Sequence, residues 1–290
     1  MRWTPGGRSR NLDDLRGQTG GRGRMIGGRS MGIGGALIAL VLSLVFGVNI
    51  FDGGGGGLPA PQASPGDVQQ PVATTPQEEE RVQFVSFVLD DVQQVWGQLL
   101  PKYGDQYREA RLAVFRDGVS TACGDAPAAV GPFYCPTDER VYLDLSFFDE
   151  LAQRFGAPGD FAQAYVIAHE LGHHVQHVLG IEQRVRQMQG TRPGAANQLS
   201  VALELQADCF AGVWGNSTAQ RRLLEQGDVE EGLAAASAVG DDRIQAQMTG
   251  QIRPDKFTHG SAAQRAQWFR RGLESGDPNS CDTFGSLGRG

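Results

Sequence analysis

The apolar positions divide the chain into stretches with different periods. Ala36–Val48 (ALIALVLSLVFGV) is almost unbroken apolar sequence inside a longer segment, Ser30–Phe51, that carries no charge. A run of this kind predicts a single transmembrane helix over residues 31–52. Residues 53–80 open with five glycines, continue through five prolines and end at Glu78-Glu79-Glu80, a composition that predicts an unpacked linker. From Arg81 the period becomes helical, with Val82, Val85, Val88, Val92, Val95, Trp96 and Leu99 on a face that ends at Pro101. Arg111–Phe115, Gly131–Cys135 and Arg140–Leu145 are short β-branched and aromatic runs separated by Gly, Pro and Asp, and predict three strands. Beyond Pro158-Gly159-Asp160 the helical period returns. Asp160 reads as an N-cap, Phe161–Leu179 lacks proline, and Gly180 can end the helix. Further helices are expected over 195–214, closed by Gly215, and over about 218–225, 229–239 and 261–274.

Charge sharpens this division. Residues 1–30 hold seven Arg against Asp13 and Asp14, a net charge of +5, whereas residues 53–290 carry −11. An acidic main domain argues against nucleic acid as a partner. A basic tail before the apolar run fits the positive-inside rule, with 1–30 cytoplasmic, 31–52 as a membrane anchor and 81–290 as an extracytoplasmic domain. A buried core helix or a cleaved signal peptide are the rival readings. The long basic region and the lack of an A-x-A site favour a retained anchor.

His169 and His173 stand four residues apart in His169-Glu170-Leu171-Gly172-His173, so one helix face presents both imidazoles to one cation. Glu170, beside them, can take a proton from an attacking water, and the pattern is that of a zinc peptidase with one Zn²⁺ per chain. A catalytic zinc needs a third protein ligand. Glu204 and Asp208, also at i, i+4 and flanked by apolar residues, offer it: Glu204 as the ligand, Asp208 as hydrogen-bond acceptor for a ligand imidazole. In the segment Thr258–Phe269, His259 is a candidate donor to the oxyanion and Arg265 a candidate partner for Asp208. The rival reading of the motif is surface histidines on a His-rich helix that also includes His174 and His177.

The four cysteines, Cys123, Cys135, Cys209 and Cys281, all follow the apolar run, and an even count there predicts two disulfides. Three pairings are open. Closeness in sequence favours Cys123–Cys135 across a hairpin, leaving Cys209–Cys281 to staple the C-terminal tail.

With these residues in view, the sequence resembles the putative neutral zinc metallopeptidase family, the YpfJ-like proteins of bacteria. The likeness is carried by Gly131-Pro-Phe-Tyr-Cys-Pro136, Val141-Tyr-Leu-Asp144, His169-Glu-Leu-Gly-His-His174, Glu204-Leu-Gln-Ala-Asp208 and Thr258-His-Gly-Ser261. A more distant similarity links the order HExxH, E-x-x-x-D and His-x5-Arg to membrane zinc proteases of the CAAX-processing type. It implies Glu204 as third ligand, His259 steadying the transition state, and an α+β zincin-like domain, mainly helical with a small sheet. In such a domain an edge strand holds the substrate, for which Tyr134 with its neighbours, or Val141–Asp144, are the candidates.

The expected function is a membrane-anchored zinc peptidase, an endopeptidase acting on peptide or protein substrates outside the cytoplasm. The alternatives are a zinc-binding but non-proteolytic envelope chaperone or scaffold, and a disulfide-stapled domain without metal.

Overall fold

In the computed structural model the described residues are 1–17, 74–116, 118–127 and 131–285, and the expected membrane helix 31–52 lies outside them. Among the described residues no helix is long and apolar enough to cross a membrane. In chain order the elements are β1 (Leu12–Asp14), α1 (Pro76–Leu99), β2 (Arg111–Phe115), β3 (Gly118–Thr121), β4 (Gly124–Pro127), β5 (Phe133–Cys135) and β6 (Arg140–Asp144). Then follow α2 (Phe147–Gln153), α3 (Asp160–Val178), α4 (Ile181–Thr191), α5 (Ala196–Gln220), α6 (Asp228–Ala238), α7 (Asp241–Thr249) and α8 (Ala262–Ser275). The body is thus mainly helical with a small sheet, as expected of an α+β zincin-like domain.

Four strands form one sheet in the order β1-β2-β6-β5, with β1, β2 and β6 parallel and β5 antiparallel to β6. Val141–Asp144 therefore lie in an interior strand, paired with β2 throughout and with β5 as far as Tyr142. Only Phe133–Cys135, of the two candidates, is an edge strand. A separate hairpin, β3-β4, went unpredicted because its run of Gly, Ser, Thr and Asp lacks an apolar period.

α1 begins five residues before the expected start. Thr75 caps it in a reciprocal capping box with Glu78, so residues that read as the end of a linker form the first helical turn. α5 does not stop at Gly215 but runs to Gln220, absorbing the start of the helix expected from 218. Its glycines serve close approach, not termination: a Cβ on Gly212 would lie 2.1 Å from the Phe269 carbonyl oxygen, and one on Gly215 3.0 Å from Leu273.

The basic N-terminal tail is described as far as residue 17. Residues 1–17 do not stand apart from the domain but fold onto it. Leu12–Asp14 add β1 to the sheet, Trp3 packs edge-on against Phe84 at 5.3 Å, and the buried Arg16 pairs with Asp14 and Glu79. The Met1 amino group is bonded to Asp160, the first residue of α3.

Both predicted disulfides are present. Cys209, in α5, bonds Cys281 after α8, and Cys123 bonds Cys135. The second bridge joins the β3-β4 turn to β5 and so does not span a single hairpin.

Candidate metal centre

α3 is buried around most of its circumference, with Phe161, Tyr165, Ile167, Leu171 and Val175 in the core. Such a helix can pass close to a neighbour only where side chains are small. At Gly172 a Cβ would sit 3.0 Å from the Ala207 carbonyl oxygen of α5, so the two backbones meet there. This crossing flanks itself with polar groups: His169 and His173 on one helix, Glu204 and Asp208 on the other. A second tight crossing, where a Cβ on Gly272 would lie 1.9 Å from the Cys209 carbonyl oxygen, lays α8 along α5 and brings Arg265 beside Asp208.

His169, His173 and Glu204 each offer a ligand atom within 4.8 Å of the others. His169 Nε2 is 3.3 Å from Glu204 Oε2, and His173 Nε2 is 3.5 Å from Glu204 Oε1. Two donors about 2.1 Å from a tetrahedral zinc ion stand about 3.4 Å apart, so the set fits that ion. The opposite ring nitrogens are held. His169 Nδ1 lies 2.8 Å from Asp208 Oδ1, and His173 Nδ1 lies 2.9 Å from Gln176 Oε1, which fixes both rings with Nε2 facing Glu204. Gln176 is itself anchored through donation to the Leu203 carbonyl at 2.7 Å and to Gln206.

Asp208 is fully buried and receives Arg265 through two bonds of 2.9 Å and the Tyr165 hydroxyl through a third. Its charge is therefore balanced by Arg265 while one oxygen still faces His169. His259 lines the same cavity as the three ligand residues. Its Nδ1 is 3.0 Å from Asp241 Oδ1, and the other Asp241 oxygen accepts the backbone N–H groups of Thr258, His259 and Gly260 at 2.7, 2.7 and 3.2 Å. Asp241 thus shapes the loop and orients the ring together. Gly260, at φ +89°, allows the turn.

The electrostatics favour a cation. Burial would raise the Glu204 carboxyl, but His173 and His169 hold it well below the usual range. Burial would lower His169, yet Asp208 and Glu204 outweigh it and push it up to about 9. Burial keeps His173 low and pushes Glu170 up to about 7, a value suited to a base working near neutrality. His174, in contrast, is a structural link: Nδ1 meets the Tyr134 hydroxyl at 2.9 Å and Nε2 the Arg108 carbonyl at 2.7 Å. It is fully buried.

The structure thus brings every sequence-chosen site residue around one cavity or onto a residue that lines it. Tyr165, Gln176 and Asp241 were missed. For Tyr165 and Gln176 a signal existed, since they precede His169 by four and follow His173 by three on the same helix. Asp241 carried none beyond its place at a helix start.

A buried His₂Glu group beside a glutamate, with oriented imidazoles, defines the class of HExxH metallopeptidase centres. The putative neutral zinc metallopeptidase family matches residues 1–284, and the chain belongs to that family. Among curated relatives, the uncharacterized protein YpfJ of Escherichia coli (strain K12) is 47% identical over 289 residues, covering 98% of this chain and 99% of the relative. The uncharacterized protein Rv2575 of Mycobacterium tuberculosis is 48% identical over 212 residues, 69% of this chain and 70% of the relative. No solved structure matches the chain.

Proposed function

We propose that this protein is a zinc-dependent endopeptidase, with one zinc ion per chain held by His169, His173 and Glu204. The carrying observation is the ligand set itself: three donor atoms spaced for one ion, both imidazoles oriented through Nδ1, and Glu170 beside them in a cavity that opens to substrate. A bound zinc ion supplies a Lewis acid for the scissile carbonyl and lowers the pKa of water. Glu170 takes the proton of the attacking water and passes it to the leaving amine. His259, held by Asp241 with Nε2 free, donates to the oxygen that becomes negative as the carbonyl turns tetrahedral. Asp208, fixed by Arg265 and Tyr165, keeps His169 in the tautomer that presents Nε2.

The substrates in this reading are extracytoplasmic proteins. The two disulfides support an oxidising compartment, and the uncharged run from residue 31 to 52 supports membrane association. The docking of residues 1–17 supports placing the N-terminus on the same side as the catalytic domain.

The test is casein cleavage by the purified full chain, zinc-loaded or chelator-treated, beside the variant Glu170→Gln. Cleavage is expected only from the zinc-loaded wild type, while the variant keeps its zinc. An identical product pattern from wild type and variant sinks the mechanism.

A further inference from the structure

We infer that the cleft selects an internal peptide bond flanked by a bulky aliphatic or aromatic side chain, and does not recognise a free carboxyl terminus. This rests on the peptidase reading above.

The cavity at the metal ligands has a volume of about 210 Å³ and runs along α3, from Val166 to Gln176. Its two ends differ. Toward the start of α3 the lining is apolar apart from Glu150: Val166, one turn before Glu170, is joined by Phe147 and Phe155. The Phe147 and Phe155 rings lie 6.5 Å apart, and Phe147 packs 3.4 Å from the Cβ position of Gly131, on the approach to the edge strand β5. Val239, whose carbonyl accepts from Arg265 at 3.2 Å, and Ile244, in the helix that begins at Asp241, the partner of His259, add apolar lining beside the metal ligands. Val166 is buried, but the other four are only half-buried, although they are large and apolar. They keep apolar surface available beside the reacting centre, where a substrate side chain would remove it from water.

At the other end, the charged pair Glu182–Arg186 lines the cavity. Arg186 is paired with Glu182 through one amino group while its buried Nε has no hydrogen-bond partner, and Arg265 is paired with Asp208. These are the only Lys or Arg among the described lining residues. His259 is likewise held by Asp241. A terminal carboxylate would thus meet guanidinium groups each already ion-paired with an acid, and would face Glu150, Glu170 and Glu204 as well. An internal bond brings no such charge.

Two measurements test this. In the first, the zinc-loaded full chain digests a synthetic peptide library and the products are sequenced by mass spectrometry. Leu, Ile, Val or Phe at one fixed position next to the cut is expected at least about tenfold over Gly, Asp or Lys. Release of single C-terminal residues, or cuts without that preference, overturns the inference. In the second, zinc-loaded Glu170→Gln, which need not turn over, is titrated with succinyl-Leu, succinyl-Gly and succinyl-Asp hydroxamates and read by thermal shift. Tighter binding of the Leu compound by about tenfold, lost in an added Ile244→Asp substitution, supports the pocket. Equal binding of all three overturns it. Leu selectivity in the second measurement without any cleavage by wild type supports the pocket and overturns the peptidase reading alone.

Discussion

Two groups of three potential ligands lie along the same helix, and they meet the same electrostatic problem in different ways. At the start of α3, Asp160 converges with Asp228 and Glu231 of α6. Further along, His169 and His173 converge with Glu204 of α5. The first brings three acids together and the second sets one acid against two imidazoles, and each favours a cation. In the first, the Met1 amino group lies on Asp160 and 3.2 Å from Asp228, and Glu231 accepts the Phe161 N–H at 3.2 Å. The chain itself supplies that cation. The second cluster has two neutralisable imidazoles, each turned toward Glu204 by a partner on its far nitrogen, and a glutamate beside it. Its donor set is suited to zinc, whereas three carboxylates alone suit hard ions. Proximity of ligands is common to both, and orientation with an adjacent base separates them.

If this contrast is right, the variants fall in a definite order. Glu170→Gln has the largest expected effect on turnover, a loss of about 10²- to 10⁴-fold in peptide hydrolysis with zinc content by elemental analysis unchanged. Glu204→Ala comes next: zinc per chain falls toward zero because two imidazoles alone remain, and full zinc retention would remove Glu204 from the ligand set. Asp208→Asn is expected to weaken zinc binding by about 10- to 100-fold in a chelator competition. It also leaves Arg265 without its buried anion, so thermal stability falls even in the metal-free protein.

The smallest change is Asp228→Asn in the other cluster. Burial would lower the Met1 amino group, but its hydrogen bond and charge interaction with Asp160, and then Asp228, raise it above its ordinary 8.0. A raised basic group contributes its stabilisation in full below about 8 and loses it as pH rises through the folded value. The variant is therefore expected to melt below wild type at neutral pH, with the gap closing as the pH climbs above about 8, and to bind zinc normally. A zinc affinity reduced as far as in Asp208→Asn would show that the two clusters are coupled through α3 and undo the comparison.

Legibility in the sequence followed the range of the interaction. The α3 boundaries and the His169–His173 spacing are local, set by a glycine at each end and a proline-free apolar run between, and they were read within a residue or two. The α5 terminus was misread because Gly215 looks the same whether it ends a helix or lets another helix approach. Only the position of Leu273 distinguishes the two. The docking of the tail was illegible for a similar reason: Arg8 and Arg16 pair with Glu79, and Arg10 with Glu109, all far along the chain.

By itself the sequence determined the two histidines and the base on one helix face, the family, and an even set of cysteines, because each depends on residue type and short spacing. Tertiary structure decided the rest. Gly172 against Ala207 sets where α3 and α5 cross, and that crossing carries Glu204 to the imidazoles. Gly272 against Cys209 brings Arg265 to Asp208, and Asp241 reaches across to His259. These are contacts between backbones distant in sequence, and no local period records them.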